Sequence, residues 1–355
     1  MAPSRPQSGS VQTVLGTMPP DQLGITIMHE HLLVDLECYF EPPEEASRRA
    51  WIDAPVSIER LGGIMANWSH NKDTGRLWSI EVAIEEALQY RYSGGVSLVD
   101  ATSLGIGRDP RGLARISRAT GLNIVMGGSY YVPVAHPADM DQRSEELLTD
   151  KIVDDITVGV GDTGIKSGLI GEVGNFHPLT ENERKVLRAS ASAQVETGAP
   201  IMIHPGLYDW SPHGILEVLV AAGADPRNII FAHLGMAIWD MGAMTELAQA
   251  GCFLEFDHLG AYEDSSISSV GNYNEFAASD TQEMDKIEFL IEGGFASQVV
   301  ISHDANFKHQ LTRYGGKGIA HILDNIVPRL RRRGLDQGLI DDLLVHNPQR
   351  ALTFA

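Results

Sequence analysis

Short apolar runs alternate with longer segments of helical spacing through most of the chain. Eight runs read as strands: 25–34, 95–102, 123–130, 168–173, 200–204, 229–233, 252–257 and 298–304. They are rich in Val, Ile, Leu and Phe and lack a strict polar alternation, the pattern of parallel strands covered on both faces. Between them, residues 81–91 carry apolar side chains at 82, 84, 87 and 88, and residues 181–197 carry them at 186, 187, 191 and 195. Residues 283–293 repeat the helical spacing, with Thr281 as an expected N-cap and Gly293–Gly294 as a stop. The repeat predicts an α/β protein, a single (β/α)8 TIM barrel, rather than an open doubly wound sheet. No G-x-G-x-x-G follows the first strand, which argues against a dinucleotide fold.

Two connections are long, 36–80 after the first strand and 259–281 after the seventh, and the loop after the eighth carries Lys308, His309 and Arg313. Loops of this length in a compact domain are usually lids or binding loops. One domain over residues 1–355 accommodates all of this, with polar residues 1–12 as a flexible arm.

Composition adds exclusions. The formal charge of −20 disfavours a nucleic-acid partner, and the basic run Arg329–Arg333 reads as a polar helix face. No 18-residue apolar run or leader-like N-terminus is present, so neither membrane nor secretion is expected. Cys38 and Cys252 are the only cysteines, which fits a reducing, cytoplasmic setting.

The chemistry gathers at the strand ends. His29 and His31 lie in M-H-E-H-L on the first strand, where residues i and i+2 share a face, so both aim inward and Glu30 outward. Glu172 lies near the end of the fourth strand, His204 ends the fifth, His233 the sixth and Asp304 the eighth. A lone histidine at a strand end is more often packed than ligating. Six such residues, all where barrel active sites are built, call for a common cause. A glutamate inside apolar L-I-G-E-V-G is the oddest of them, since an unpaired buried carboxylate is costly.

Four imidazoles and two carboxylates suit Zn, Mn, Co or Fe better than Ca or Mg, and they are too many for one tetrahedral zinc. The expected centre has His29, His31 and Asp304 on one divalent ion, His204 and His233 on another, and Glu172 with a hydroxide bridging them, zinc being the first choice. Bound water titrating near ~7 rather than 15.7 supplies the nucleophile. Asp304 then serves as the catalytic proton acceptor.

These residues resemble the phosphotriesterase family of the amidohydrolase superfamily, closest to the phosphotriesterase-related proteins. The resemblance runs from about Gly24 to the C-terminus. It rests on H-E-H at 29–31, V-D-A-T at 99–102, G-I-G-R-D at 105–109, I-H-P-G at 203–206, A-H-L-G at 232–235, S-H-D at 302–304 and H-N-P near 347. G-I-K-S-G-L-I-G-E-V-G, R-Y-G-G-K-G and H-I-L-D-N-I-V-P point to the related proteins in particular. One departure matters: many relatives bridge their ions with a carboxylated lysine, where this chain has Glu172. Lys166 lies six residues earlier, ~20 Å along an extended strand, too far to substitute.

The resemblance implies hydrolysis of an amide, ester or lactone, such as an N-acyl amino-sulfonate, and a homodimer. The alternatives are a phosphotriester hydrolase, a mononuclear deaminase, or a noncatalytic small-molecule-binding barrel. Candidate substrate contacts are Tyr130, Tyr131, Asn175, His177 and His258. Asp100 is expected to orient a ligand histidine, His303 to be structural, and Met28 and Met202 to be core.

Overall fold

The computed structural model describes residues 8–261 and 278–355. Its eight barrel strands are β1 (Thr26–Glu30), β2 (Ser97–Asp100), β3 (Asn123–Met126), β4 (Ile170–Gly174), β5 (Ile201–His204), β6 (Ile229–Phe231), β7 (Phe253–Phe256) and β8 (Val299–Ile301). They form two parallel arcs, β1-β2-β3 and β4-β5-β6-β7-β8. The first seam is joined by Gly168 N–H to Met126 O (2.8 Å) and by Gly171 N–H to Gly128 O (3.0 Å). Asp304 N–H to His29 O (3.0 Å) joins the second, beside the Ser302 hydroxyl, which accepts from His29 N–H and donates to His29 O. With both seams bridged, the sheet runs round as a TIM barrel.

The helices between strands are α1 (Ile80–Tyr92), α2 (Pro110–Thr120), α3 (Glu145–Thr157), α4 (Glu181–Thr197), α5 (Ser211–Ala221), α6 (Met241–Gln249) and α7 (Asp280–Glu292), with α8 (Val327–Arg333) after β8. Local chemistry sets their ends. In α4 the Thr180 hydroxyl and Glu183 form a capping box, and Gly198 at φ 75° stops the last turn. In α7 the cap is Ser279, boxed with Gln282, and not Thr281, which lies inside the helix. Arg329 and Arg333 of α8 pair with Asp280, Asp285 and Glu288, as a polar face should. Among the described residues no helix is long and apolar enough to cross a membrane.

Met28, Val99, Val125, Met202, Ile230 and Val300 fill the barrel interior. Ile27, Leu98, Ile124, Ile203 and Ile301 point the other way and join the cluster under the helices. Each such burial contributes roughly 1.5–3 kcal/mol. Residues 11 and 12, expected in the arm, instead begin a hairpin (Val11–Thr13 with Gly16–Met18) whose fully buried Val11 joins the interior cluster. Residues 1–7 of the arm and residues 262–277 of the long loop after β7 lie outside the described residues.

Two strands depart from regular pairing. The register slips by one residue in β1 between Ile27 and Glu30, and in β4 between Ile170 and Val173. Connection 36–80 is not featureless: Arg76–Leu77 pairs with Val34–Asp35, and Trp68 packs on Phe307 at 4.6 Å. Lys308 pairs with Asp73 (2.6 Å), and the ring of His309 meets the Thr74 hydroxyl (2.8 Å), so this connection is clasped to the loop after β8. Arg313 of the same loop pairs with Glu85 (2.7 Å).

Candidate metal centre

The first strand brings His29 to the centre by a route that simple alternation does not allow. Met28 already faces the interior, so His29 on a regular strand would face out; the extra residue in β1 turns both inward. His31 follows just past the strand. The slip in β4 falls across Glu172 in the same way. His204 closes β5. His233 and Asp304 lie two and three residues past β6 and β8, in left-handed backbone at φ 58° and 50°. Non-glycine residues rarely adopt that conformation, and it is held here by the Asp257 carboxylate on His233 N–H (3.0 Å) and by the bond of Asp304 N–H to His29 O.

Glu172 lies in the middle. Its Oε1 is 3.3 Å from His31 Nε2, while Oε2 is 3.5 Å from His29 Nε2, 3.1 Å from His204 Nδ1 and 3.3 Å from His233 Nε2. Asp304 Oδ1 is 3.3 Å from His31 Nε2 and 3.8 Å from His29 Nε2. Donors arranged tetrahedrally ~2.0–2.2 Å from one ion stand roughly 3.3–3.6 Å apart, so most of these separations are those of shared ligands. His204 Nδ1 and His233 Nε2 are closer, at 2.8 Å, an N–H···N contact that a shared ion would replace. All six residues are buried, and His29 Nε2 has no hydrogen-bond partner among the described residues.

The carboxylates demand positive charge here. Burial works against a charged His31 ring, but hydrogen bonds to Asp304 and Glu172 lift it to about 9. Burial likewise opposes His233, and Asp257 with Glu172 lifts it to about 10. Asp304 is held down to about 2: burial opposes this, and the hydrogen bond from His31 with the charge of His29 prevails. Dipositive ions would satisfy the same demand, and imidazole with carboxylate is the donor set of zinc and its neighbours. The residues fit two ions.

The partners behind the rings were largely missed from the sequence. Asp100 does not reach a histidine; it accepts from Leu32 and Thr102 N–H, and the Thr102 hydroxyl meets His31 Nδ1 at 2.9 Å. Asp257 Oδ2 lies 3.0 Å from His233 Nδ1 and 3.4 Å from His29 Nδ1. Glu255, fully buried, lies 3.6 Å from His29 Nδ1, and burial pushes it up to about 7. A glutamate in apolar F-L-E-F is the same oddity that betrayed Glu172. Glu30 is spent within the protein: it accepts from Ser302, from His303 N–H and its ring, and from Ala305 N–H.

Of the other candidates, His258 is drawn in, with Nε2 3.7 Å from Asp304 Oδ2 and Nδ1 2.9 Å from Asp257 Oδ1. Tyr131 sets its ring edge-on to His204 at 5.2 Å and its hydroxyl 3.2 Å from that of Tyr39. Tyr130 turns to Arg143 and His136. Asn175 is fully buried, its amide donating to Val173 O and His204 O, and His177 is exposed, stacked on Tyr208 at 4.5 Å. Neither joins the cluster.

Residues 9–352 match the Phosphotriesterase family. The chain is 39% identical over 347 residues to an N-acetyltaurine hydrolase from Danio rerio, covering 98% of each. It is 38% identical to the crystal structure of a resiniferatoxin-binding protein from Rhodobacter sphaeroides, at TM-score 0.93, covering 99% of this chain and 97% of that one. A phosphotriesterase homology protein from Escherichia coli shares the fold, at 24% identity and TM-score 0.75, over 94% of this chain and 100% of that one. With the family's match spanning nearly every residue and the metal-type side chains gathered at the barrel mouth, the chain belongs to the phosphotriesterase family of hydrolases.

Proposed function

We propose that the protein is a binuclear metal-dependent amidohydrolase acting on a small N-acyl amino-sulfonate of the N-acetyltaurine kind. The observation that carries this is Glu172, whose carboxylate lies within 3.1–3.5 Å of all four imidazoles, Oε1 beside His31 and Oε2 beside His29, His204 and His233. His29, His31 and Asp304 would hold one ion, His204 and His233 the other, and Glu172 both, with zinc the first choice by donor set. When bound, the ion pair supplies an activated water and a Lewis-acid contact for the scissile carbonyl oxygen.

The chain's own groups do the rest. Asp304, held ionised, accepts the proton that the water gives up on attacking the carbonyl carbon, and returns it to the leaving nitrogen. Its Oδ2 is the oxygen nearer His258, whose far nitrogen is braced by Asp257. Tyr131 walls the site beside His204. Asn175 is assigned to holding the His204 backbone and His177 to the rim.

The relatives named as N-acetyltaurine hydrolases favour the amide over a phosphotriester. The test is release of amine and acetate from N-acetyltaurine by Zn-, Mn-, Co- and Fe-loaded protein, with chelator as control. Asp304→Asn is expected to lower kcat by about 10²–10⁴-fold. Turnover indifferent to chelation, or confined to phosphotriesters, overturns the reading. The structure named as a resiniferatoxin-binding protein favours a second reading, a noncatalytic small-molecule binder, which chelator-sensitive turnover would exclude. A homodimer, checked by light scattering, and a cytoplasmic location, suited to unpaired Cys38 and Cys252, complete the proposal.

A further inference from the structure

Lys286 lies in the middle of α7 and is buried, an unusual place for an ammonium group. Its Nζ donates to Gly235 O at 2.6 Å and to Ile238 O at 2.8 Å, and stands 3.7 Å from the centre of the Trp239 ring. Burial pushes the ammonium down to about 8 against the charges of Glu283 and Asp209, so at neutral pH it keeps its charge. A buried cation is costly, and this one gives its donors to two backbone carbonyls and its charge to an indole face.

Both carbonyls belong to the turn that carries His233. The chain leaves β6, takes left-handed backbone at His233 and enters a short helix, Leu234–Ala237. His233 O accepts from Met236 N–H (3.0 Å) and Ala237 N–H (2.8 Å), and Leu234 O from Ile238 N–H (3.2 Å). The next N–H groups, of Trp239 and Asp240, turn away to Asp209 Oδ1 (2.5 and 2.9 Å), on the loop that follows His204. Side chains therefore serve the later carbonyls of the turn: Trp239 Nε1 donates to Met236 O at 2.9 Å, and Lys286 takes the other two. The absent side chain of Gly235 makes room for Glu283, one turn before Lys286, whose Oε1 would stand 1.4 Å from a Cβ there. That gives the last residue of A-H-L-G a task.

We propose that Lys286 is a positioning residue for the ion assigned to His204 and His233: it ties the end of the turn to α7 and so fixes the backbone from which the His233 ring reaches Glu172. This rests on the binuclear reading above and names what sets the geometry of the second ion. A non-glycine residue keeps left-handed backbone only where its surroundings hold it there. Asp257 holds the turn at its start, through His233 N–H, and Lys286 holds it at its end. Hydrogen bonds from a charged donor suit that task, being stronger than neutral ones.

The test measures the affinity of each ion by chelator competition in wild type, Lys286→Met, Lys286→Gln and Leu290→Ala. Leu290 is buried on the same helix, so its truncation loosens α7 without removing a bond to the turn. Lys286→Met is expected to weaken one ion about tenfold or more and to leave the other within about threefold. The visible absorption of its Co-loaded form should shift accordingly. Lys286→Gln, with an amide donor and no charge, should fall between wild type and Met, and it decides the matter if the Met variant does not fold. Leu290→Ala should unfold at lower urea and keep both affinities within about threefold. Unchanged affinities in the Lys286 variants, equal weakening of both ions, or the same selective loss in Leu290→Ala overturns the proposal. Wild type that takes up fewer than two ions fails the binuclear reading, and the Lys286 assignment falls with it.

Discussion

The ring nitrogens that face away from Glu172 meet unlike partners. His233 Nδ1 and His29 Nδ1 look onto the Asp257 carboxylate, whereas His31 Nδ1 meets only the neutral hydroxyl of Thr102, which passes its own proton to Leu33 O. A carboxylate behind an imidazole makes it a stronger donor to metal; a hydroxyl fixes its tautomer and direction with less electron push. Thr102→Val keeps the shape and removes the acceptor. It is expected to weaken binding of one of two ions by about 10–100-fold in chelator competition, leaving the other near wild type. Equal affinities in the two proteins would sink this assignment. Glu172 was legible in the sequence because a carboxylate has no ordinary business in an apolar strand. Thr102 was not, because a threonine at a strand end fits everywhere and its meaning depends on where β1 lies. Glu255 carried the same signal as Glu172 and was passed over.

Strands were legible as apolar runs, and their order gave the barrel. Register was not. The rings of His29 and His31 stand 5.4 Å apart, and the extra residue in β1, with its counterpart in β4, does what alternation alone could not. A bulge leaves little trace in composition; it is fixed by what the neighbouring strands require. Glu30 is the part of that device visible in the sequence, sitting between the two histidines and tying β1 to the loop that carries Asp304. Glu30→Leu strands the N–H groups of His303 and Ala305 and the His303 ring in a dry interior. The cost is expected to be about 3–5 kcal/mol in denaturant unfolding, and a loss under about 1 kcal/mol would show the tie to be ornamental. The long connection 36–80 was recognised as a loop, but its pairing of Arg76–Leu77 with Val34–Asp35 is too short to leave a period.

Across the whole molecule, the clasp between connection 36–80 and the loop after β8 makes the mouth of the barrel sensitive to acid. Burial pushes His309 down to about 4, from about 6.5 in an unfolded chain. Its folded value is depressed, so the unfolded chain takes up the proton first. The stability that the neutral ring contributes is complete above pH ~6.5 and is lost as pH falls toward 4. Between pH 7 and 5 wild type is expected to lose about 2 kcal/mol more than His309→Gln in parallel denaturant titrations. Curves that fall together would remove His309 from the account. The barrel beneath the centre has a different consequence. Met28, Met202, Val99 and Ile230 stop the axis below the ligands, and Val11 joins the same plug. Among the described residues that apolar plug closes the axis to a charged traveller, so ions are expected to exchange through the rim, at rates set by the loops there.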